Sequence, residues 1–304
     1  MQVNITPKKL HGSLKAPANK SLIIRYLIIG RIRDSECIIR NCNFCDDVLA
    51  CLDCLENLEA PMPCGDSATV LRLLLPSVIK KYGKADFILG DSLKKRPLGP
   101  YADIFDVRLD GNLLHAEGTV KDSYCFDSEI SSQFASGLLI AGAKVSGKFV
   151  SGPYIRMTED VLSQPTPFDV TVPEDETLSA YWHIGELTLG NVDEQPDMYM
   201  PWALQCRLSG EKVDFGNIDR LKYKESDRVK SVEDVLNSLF ETGENKEVII
   251  DPAGDHRIAM MAAAGAQFTD AKTVTVLNAE CVGKSYPRFW DDYRKLGGQI
   301  DVIG

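Results

Sequence analysis

The chain has 304 residues, 44% hydrophobic and 26% charged, with a formal net charge of -10 at pH 7. That length supports a large core and two domains, and the acidic balance argues against non-specific nucleic-acid binding while leaving room for a local basic cleft. No secretory apolar stretch follows Met1 and no apolar run approaches a membrane span, so a cytoplasmic protein with no membrane partner is expected. Nine cysteines, an odd number, read as free thiols in a reducing compartment.

In chain order, residues 2–16 read as a strand with a turn. A module then recurs about six times: an apolar helix, a small-residue stop, a β-branched strand and a polar corner. The first copy is KSLIIRYLIIG from Lys20, the strand ECIIR and a helix opened by Asp46-Asp47. Cys42, Cys45, Cys51 and Cys54 form two C-x-x-C pairs there, but the five residues between the pairs are fewer than zinc modules use, so no metal is expected. The second copy is SATVLRLLLPSVIKKYG, KADFILG and KKRPLGPYADIF, and Pro76 is expected to kink or end its helix. Residues 105–128 alternate around Asp110-Gly111 and read as hairpin strands. The third copy is SSQFASGLLIAGA, KFVSG and PYIRMTEDVL. Pro165, Pro167, Pro173 and the acidic run Glu174–Glu176 mark a domain crossing. The fourth copy is a stub, TLSAYWHIGELTLG. The fifth is PDMYMPWALQCRLSG, KVDFGN and KESDRVKSVEDVL, with Tyr199 and Trp202 read as packing residues. The sixth is DHRIAMMAAAGAQF, TVTVLN and GKSYPRFWDDYRKLGG. No G-x-G-x-x-G follows a strand and no phosphate-loop lysine motif is present. The pattern therefore indicates an α/β protein of similar pieces, not a doubly wound nucleotide-binding sheet.

Cations, hydroxyls and acids gather at the helix starts or just after the strands. Free N–H groups and a partial positive charge make several such ends a shared anion cradle. Lys20 stands at a helix start, where the dipole disfavours a cation, so a ligand role gains weight. Ser226 or Asp227 in LKYKESDR, and Asp255 before His256-Arg257, are good N-caps, which is a structural reading of the same residues. Arg72 lies on an otherwise apolar helix and is either a snorkelling residue or a buried charge with a dedicated anionic partner.

In this order and spacing the motifs resemble the 5-enolpyruvylshikimate-3-phosphate (EPSP) synthase family, from Gly12 to the terminus. The family's P-G-S-K-S-x-x-x-R appears as Pro17-Ala18-Asn19-Lys20-Ser21 to Arg25, and its N-A-G-T-x-x-R as Asp66-Ser67-Ala68-Thr69 to Arg72. R-P-I-G is Arg96-Pro97-Leu98-Gly99, S-S-Q-F is Ser131 to Phe134, and S-x-P-Y-I-x-x-T runs from Ser151 through Tyr154 to Thr158. The Q-P-D aspartate is Asp197, K-E-S-D-R is Lys224–Arg228, D-H-R is Asp255–Arg257, and K-S-x-P is Lys284 to Pro287.

The resemblance implies an α/β (α+β) fold, a two-domain inside-out α/β barrel of repeated βαβαββ-type units, here with some units trimmed. It implies an N-terminal domain at 16–173 and a C-terminal domain made of 1–15 and 174–304 through a double crossover. The implied reaction moves the enolpyruvyl group of phosphoenolpyruvate to the 5-hydroxyl of shikimate 3-phosphate and releases phosphate, with no cofactor or metal, in a monomer. Carried over residue by residue, Lys20, Ser131, Ser132 and Ser151 would hold the shikimate phosphate, and Ser21, Arg25, Asp197 and Lys224 the hydroxyls and carboxylate. Tyr154 would lie against the ring, with Gln133 shared between the two substrates. Lys20, Arg72, Arg96, Gln133, Arg228, Arg257 and Lys284 would clamp phosphoenolpyruvate, since guanidinium forks suit its carboxylate and phosphate. Asp197 and Glu225 would be the proton-transfer pair, assisted by Lys224 and Lys20.

The chain departs from the family pattern in length, with losses between Asp47 and Asp66, Thr158 and Asp175, and Asp175 and Asp197. Asp66 stands for the usual Asn and puts a negative charge beside an anion site, and Ala68 stands for a Gly. The extra methyl is expected to crowd compounds longer than phosphoenolpyruvate, such as glyphosate. Two rivals remain: a UDP-N-acetylglucosamine enolpyruvyl transferase, disfavoured because Gly90–Arg96 lacks that enzyme's cysteine, and a non-catalytic binding relative, disfavoured by retention of Asp197, Lys224 and Glu225.

Overall fold

Strand β1 (Gln2–Thr6) turns Val3 and Ile5 inward and pairs antiparallel with residues 273–276 and 299–303 near the other end of the chain. The start of the chain therefore belongs to a unit with its end. One unit is Met1–Pro17 with Glu174–Gly304 and the other is Ala18–Pro173, in a computed structural model that describes residues 1–125, 131–148, 152–241 and 246–304. Ala16 packs in the core of the first of these.

The unit Ala18–Pro173 begins with α1 (Lys20–Ile32), β2 (Cys37–Arg40), α2 (Asp46–Glu56), β3 (Met62–Gly65), α3 (Ala68–Tyr82) and β4 (Lys84–Leu89). It continues with α4 (Pro100–Ile104), β5 (Asp106–Asp110), β6 (Leu113–Glu117), β7 (Ser123–Cys125), α5 (Gln133–Ile140), β8 (Lys144–Ser146), α6 (Gly152–Ser163) and β9 (Phe168–Thr171). A four-stranded sheet runs β3-β4-β6-β5, with the expected hairpin turning at Gly111. Two smaller parallel pairs, β2 with β9 and β7 with β8, complete the strands among the described residues of this unit. The predicted strand KFVSG falls partly outside the described residues; β8 lies just before it. Ile23, Ile24 and Ile28 of α1, Leu71 and Leu73 to Leu75 of α3, and Phe134 and Leu138 of α5 share one buried cluster.

Helix α1 starts where the Asn19 side chain accepts from Leu22 N, and α3 where Ser67 accepts from Val70 N. Of the two outcomes expected at Pro76, ending the helix does not occur: α3 continues to Tyr82. The proline leaves the carbonyl four residues back, Arg72 O, without its helical donor. The Tyr101 hydroxyl supplies a replacement at 2.7 Å, and Gly137 gives it room, since a β-carbon there would overlap Arg72 O and the Tyr101 hydroxyl. The C-x-x-C pairs are free thiols. Cys45, Cys51 and Cys54 point into the core, and burial pushes the Cys45 thiol up to about 11.

The other unit adds to β1 the elements α7 (Glu176–Ser179), α8 (Tyr199–Ser209), α9 (Arg228–Phe240), β10 (Glu247–Ile250), α10 (His256–Ala266), β11 (Thr273–Val276), α11 (Phe289–Lys295) and β12 (Gln299–Ile303). Its sheet runs β10-β11-β1-β12. Helix α10 is buried along its whole length, and its Ala and Gly residues let neighbours approach closely, Leu239 against Gly265 above all. The predicted strand at 212–217 is instead an irregular segment, held by Phe215 stacking on Trp202 and by Val192 N donating to Phe215 O. The stub of the fourth copy has no sheet to satisfy its backbone. The Gln205 amide does so instead, accepting from Gly185 N and Leu187 N and donating to Leu187 O, while Trp202 Nε1 donates to Thr188 O. Buried backbone groups need such partners, and two side chains stand in for a missing strand. Among the described residues, no helix is long and apolar enough to cross a membrane.

Candidate active site

In the unit Ala18–Pro173, Lys20, Ser21, Arg25, Arg72, Ser131, Ser132 and Gln133 lie in or beside the opening turns of α1, α3 and α5, and Tyr154 lies in the first turn of α6. Lys20 is the first residue of α1, and its Nζ lies 2.6 Å from Asp47 Oδ2, with both side chains largely withdrawn from solvent. A cation at a helix start is unfavourable, and the Asp47 carboxylate offsets that. Arg25 is buried. Its Nε donates to Thr158 Oγ1 at 2.8 Å, Nη1 to Ser21 O at 2.8 Å and Nη2 to Tyr154 O at 3.1 Å. These partners are uncharged, and loss of hydration pulls the guanidinium down to about 10 despite an opposing effect from Tyr154.

Gln133 opens α5 with its amide fixed at both ends: Nε2 donates to Thr69 Oγ1 at 2.9 Å, and Oε1 accepts from Arg72 Nη1 at 3.0 Å. Arg72 is buried rather than snorkelling; Nη2 donates to Pro97 O at 3.2 Å, and the guanidinium lies 4.6 Å from the centre of the Phe134 ring. Its partners include a side-chain amide and a backbone carbonyl. Ser131 and Ser132 are buried at the start of α5, and Ser131 Oγ accepts from Gln133 N. Arg96, partly buried, ends a short 3-10 turn over Leu93–Lys95. Ser151 lies outside the described residues.

In the other unit the expected residues form one network around Arg228, the first residue of α9. Arg228 Nε donates to Asp255 Oδ2 at 2.8 Å, Nη1 to Asp197 Oδ1 at 2.8 Å, and Nη2 to Glu225 Oε2 at 2.7 Å. Burial works against its charge, but Asp255, Glu225 and Asp197 outweigh it and hold the guanidinium well above its ordinary range. Lys284 Nζ lies 3.3 Å from Glu225 Oε1, and Arg257 Nε 3.4 Å from Asp197 Oδ1. Arg257 Nη2 also donates to Thr177 Oγ1, whose hydroxyl donates to Asp175. Lys224 is half-buried; lost hydration pulls its ammonium down to about 8, against the pull of Asp197. Asp227 and Asp255 are caps, as their positions suggest, for α9 and α10. Asp255 is more than a cap, because the same carboxylate ties Arg228 to the start of α10.

Glu225, Asp255 and His256 form a group of potential metal ligands. Both carboxylates are bonded to Arg228, so the cation between them is a guanidinium. Sequence reasoning missed Asp47, Thr69, Asp175 and Thr177 as functional neighbours. The paired acids Asp46-Asp47 gave one signal, read only as a helix start.

The model of the EPSP synthase (3-phosphoshikimate 1-carboxyvinyltransferase) family matches residues 5–63 and 168–293. The chain belongs to the EPSP synthase family. Among curated relatives, the 3-phosphoshikimate 1-carboxyvinyltransferases of Clostridium perfringens (strain 13) and Clostridium kluyveri are each 26% identical to it over 98% of this chain and 98% of their own. Those alignments run to 424 and 419 positions against 304 residues here, so the relatives carry segments that this family member lacks. The structure of EPSP synthase from Acinetobacter baumannii matches with a TM-score of 0.72 at 16% identity, covering 100% of both chains. The enolpyruvyl transferase NikO from Streptomyces tendae matches at 0.63 and 13%, covering 99% of this chain and 98% of its own. The fold is that of the EPSP synthase family, as expected from the motifs.

Proposed function

We propose that this EPSP synthase family member transfers the enolpyruvyl group of phosphoenolpyruvate to the 5-hydroxyl of shikimate 3-phosphate, acting as a cytoplasmic monomer without a cofactor. The observation that carries the reading is the network in which one guanidinium, Arg228, holds both Asp197 and Glu225, with Arg257 on the first, Lys284 on the second and, alongside, Lys224 with its ammonium pulled down to about 8. Two carboxylates fixed by cations keep distinct orientations, which suits one to accept a proton while the other delivers one.

In this reading Asp197 accepts the proton of the 5-hydroxyl as its oxygen bonds to C2 of phosphoenolpyruvate, and Glu225 delivers a proton to the methylene carbon. The tetrahedral intermediate then loses phosphate, which takes up the proton held by Asp197, and the methyl group returns a proton to Glu225. Lys224, its ammonium pulled down to about 8, helps move the hydroxyl proton. Lys20, Ser21, Arg25, Ser131, Ser132, Gln133, Ser151 and Tyr154 hold shikimate 3-phosphate. Lys20, Arg72, Arg96, Gln133, Arg228, Arg257 and Lys284 serve phosphoenolpyruvate, directly or by holding the groups that touch it. Fixed cations and N–H donors stabilise charge that develops on the leaving phosphate.

The test is phosphate release from phosphoenolpyruvate with shikimate 3-phosphate, and separately with UDP-N-acetylglucosamine. Release with the shikimate compound alone is expected. Release with the sugar nucleotide, or tight shikimate 3-phosphate binding with no release, overturns the reading. Lys284→Ala should weaken phosphoenolpyruvate binding more than shikimate 3-phosphate binding, and equal losses would refute its assignment.

A further inference from the structure

Strands β3 and β4 are parallel, and their C-terminal ends emerge side by side, with Gly90 N donating to Gly65 O at 2.8 Å. Asp66 follows β3, and its carboxylate reaches over the end of β4. Oδ1 accepts from both Ser92 N and Leu93 N at 2.9 Å. The approach is so close that a β-carbon at Gly90 would overlap the carboxylate. The two amides open the 3-10 turn Leu93–Lys95, and that turn closes where Arg96 N donates to Leu93 O at 3.0 Å. On the far side of Arg96, the carbonyl of Pro97 accepts from Arg72 Nη2.

We propose that Asp66 is a positioning residue that aims Arg96 at phosphoenolpyruvate. The proposal rests on the reading of Arg96 as a clamp on that substrate. Three successive cations, Lys94, Lys95 and Arg96, crowd this turn, and like charges on adjacent residues push an unsupported turn open. A carboxylate at its start opposes this in two ways. It binds the amides that would otherwise be free, as a helix cap does, and its negative charge strengthens both bonds and offsets the neighbouring cations. Leu93, between those amides and Arg96, is buried in the core and anchors the turn from beneath. With Asp66 in front and Arg72 behind, the Arg96 backbone has little freedom. A clamp held in place loses less on binding than one that must be ordered. The Asp found where the family motif has Asn therefore gives a charged brace at a point where an amide would give a neutral one.

The experiment compares Asp66→Ala, Asp66→Asn, Gly90→Ala and Arg96→Ala, with the double variant Asp66→Ala/Arg96→Ala. It reads KM for each substrate, kcat and the thermal midpoint. Asp66→Ala is expected to raise KM for phosphoenolpyruvate about tenfold and leave KM for shikimate 3-phosphate within about twofold, with Asp66→Asn recovering most of the loss. In the Arg96→Ala background, removing Asp66 should add less than about twofold, since coupled residues are not additive. Gly90→Ala displaces the carboxylate from the same amides and carries the test should Asp66→Ala fail to fold. An unchanged phosphoenolpyruvate KM on loss of Asp66, or full additivity with Arg96→Ala, overturns the brace. If Arg96→Ala itself leaves phosphoenolpyruvate KM unchanged, the clamp reading fails and the proposal falls with it. A drop in thermal midpoint with both KM values intact assigns Asp66 to folding alone and also overturns it.

Discussion

The two units hold their site cations by opposite means. In Ala18–Pro173, Arg25 leans on the Thr158 hydroxyl and on backbone carbonyls. In the other unit, Arg228, Arg257 and Lys284 lean on Asp197, Glu225 and Asp255. The consequence shows in the ionisation: burial lowers Arg25 to about 10, whereas Arg228, equally buried, is held well above its ordinary range. Neutral partners leave a guanidinium short of counter-charge, which favours an anionic ligand. Carboxylate partners satisfy the cation and hold the acids in fixed positions.

The largest effect expected from breaking this contrast is Arg228→Met. It takes the guanidinium from the buried Asp255 and one of the cations from each of Asp197 and Glu225, and should cost about 3–5 kcal/mol, because an unpaired buried charge is far worse than a paired one. Chemical denaturation measures it, and a loss below about 1 kcal/mol would mean that Arg228 does not organise the network. Thr158→Val, which removes a neutral partner of Arg25, should cost about 1–3 kcal/mol in the same experiment and weaken shikimate 3-phosphate binding. If it matched Arg228→Met, the distinction between the halves would be lost. Tyr101→Phe takes the replacement donor from Arg72 O and should cost about 1–2 kcal/mol, read as a lower thermal midpoint.

Lys224 supplies a test in pH. Its folded value of about 8 lies below the ordinary 10.5, so the unfolded chain binds more protons between those values, and this group's contribution to stability improves as pH rises through them. Activity should carry an ionisation near 8 that disappears in Lys224→Met, and a profile with the same limb in that variant would assign the ionisation elsewhere. The smallest effect is expected at Ala68, a buried residue in the first turn of α3. Ala68→Gly should tighten glyphosate inhibition; unchanged inhibition ends that idea.

Local signals were legible in the sequence. Asp227 and Asp255 each open a helix where cap chemistry places one, and Asp110-Gly111 turns a hairpin. What failed depended on distant partners. Pro76 is tolerated because Tyr101, 29 residues from Arg72, supplies the lost donor. The segment 212–217 has strand-like composition but no neighbouring strand to pair with, and Phe215 is spent on Trp202. At the site, motif order brought forward Lys20, Arg25, Asp197 and Arg228, but not what holds them. Arg228 meets Asp197 and Asp255 across 31 and 27 residues, separations at which residue type alone gives no pairing. Asp47 and Thr177 look like ordinary helix-start residues until Lys20 and Arg257 are seen against them.

The placement of β1 between β11 and β12 sets an order of events during synthesis on the ribosome. The segment Ala18–Pro173 has all of its own strands once Pro173 has emerged and can fold while translation continues. The first five-residue strand cannot, because both of its sheet neighbours belong to the last 32 residues of the sequence. It waits, apolar on one side, until those distant neighbours are made, and closing so long a loop is slow. Chaperone dependence and aggregation of nascent chains should therefore concentrate on Gln2–Thr6, which is made long before both of its sheet neighbours.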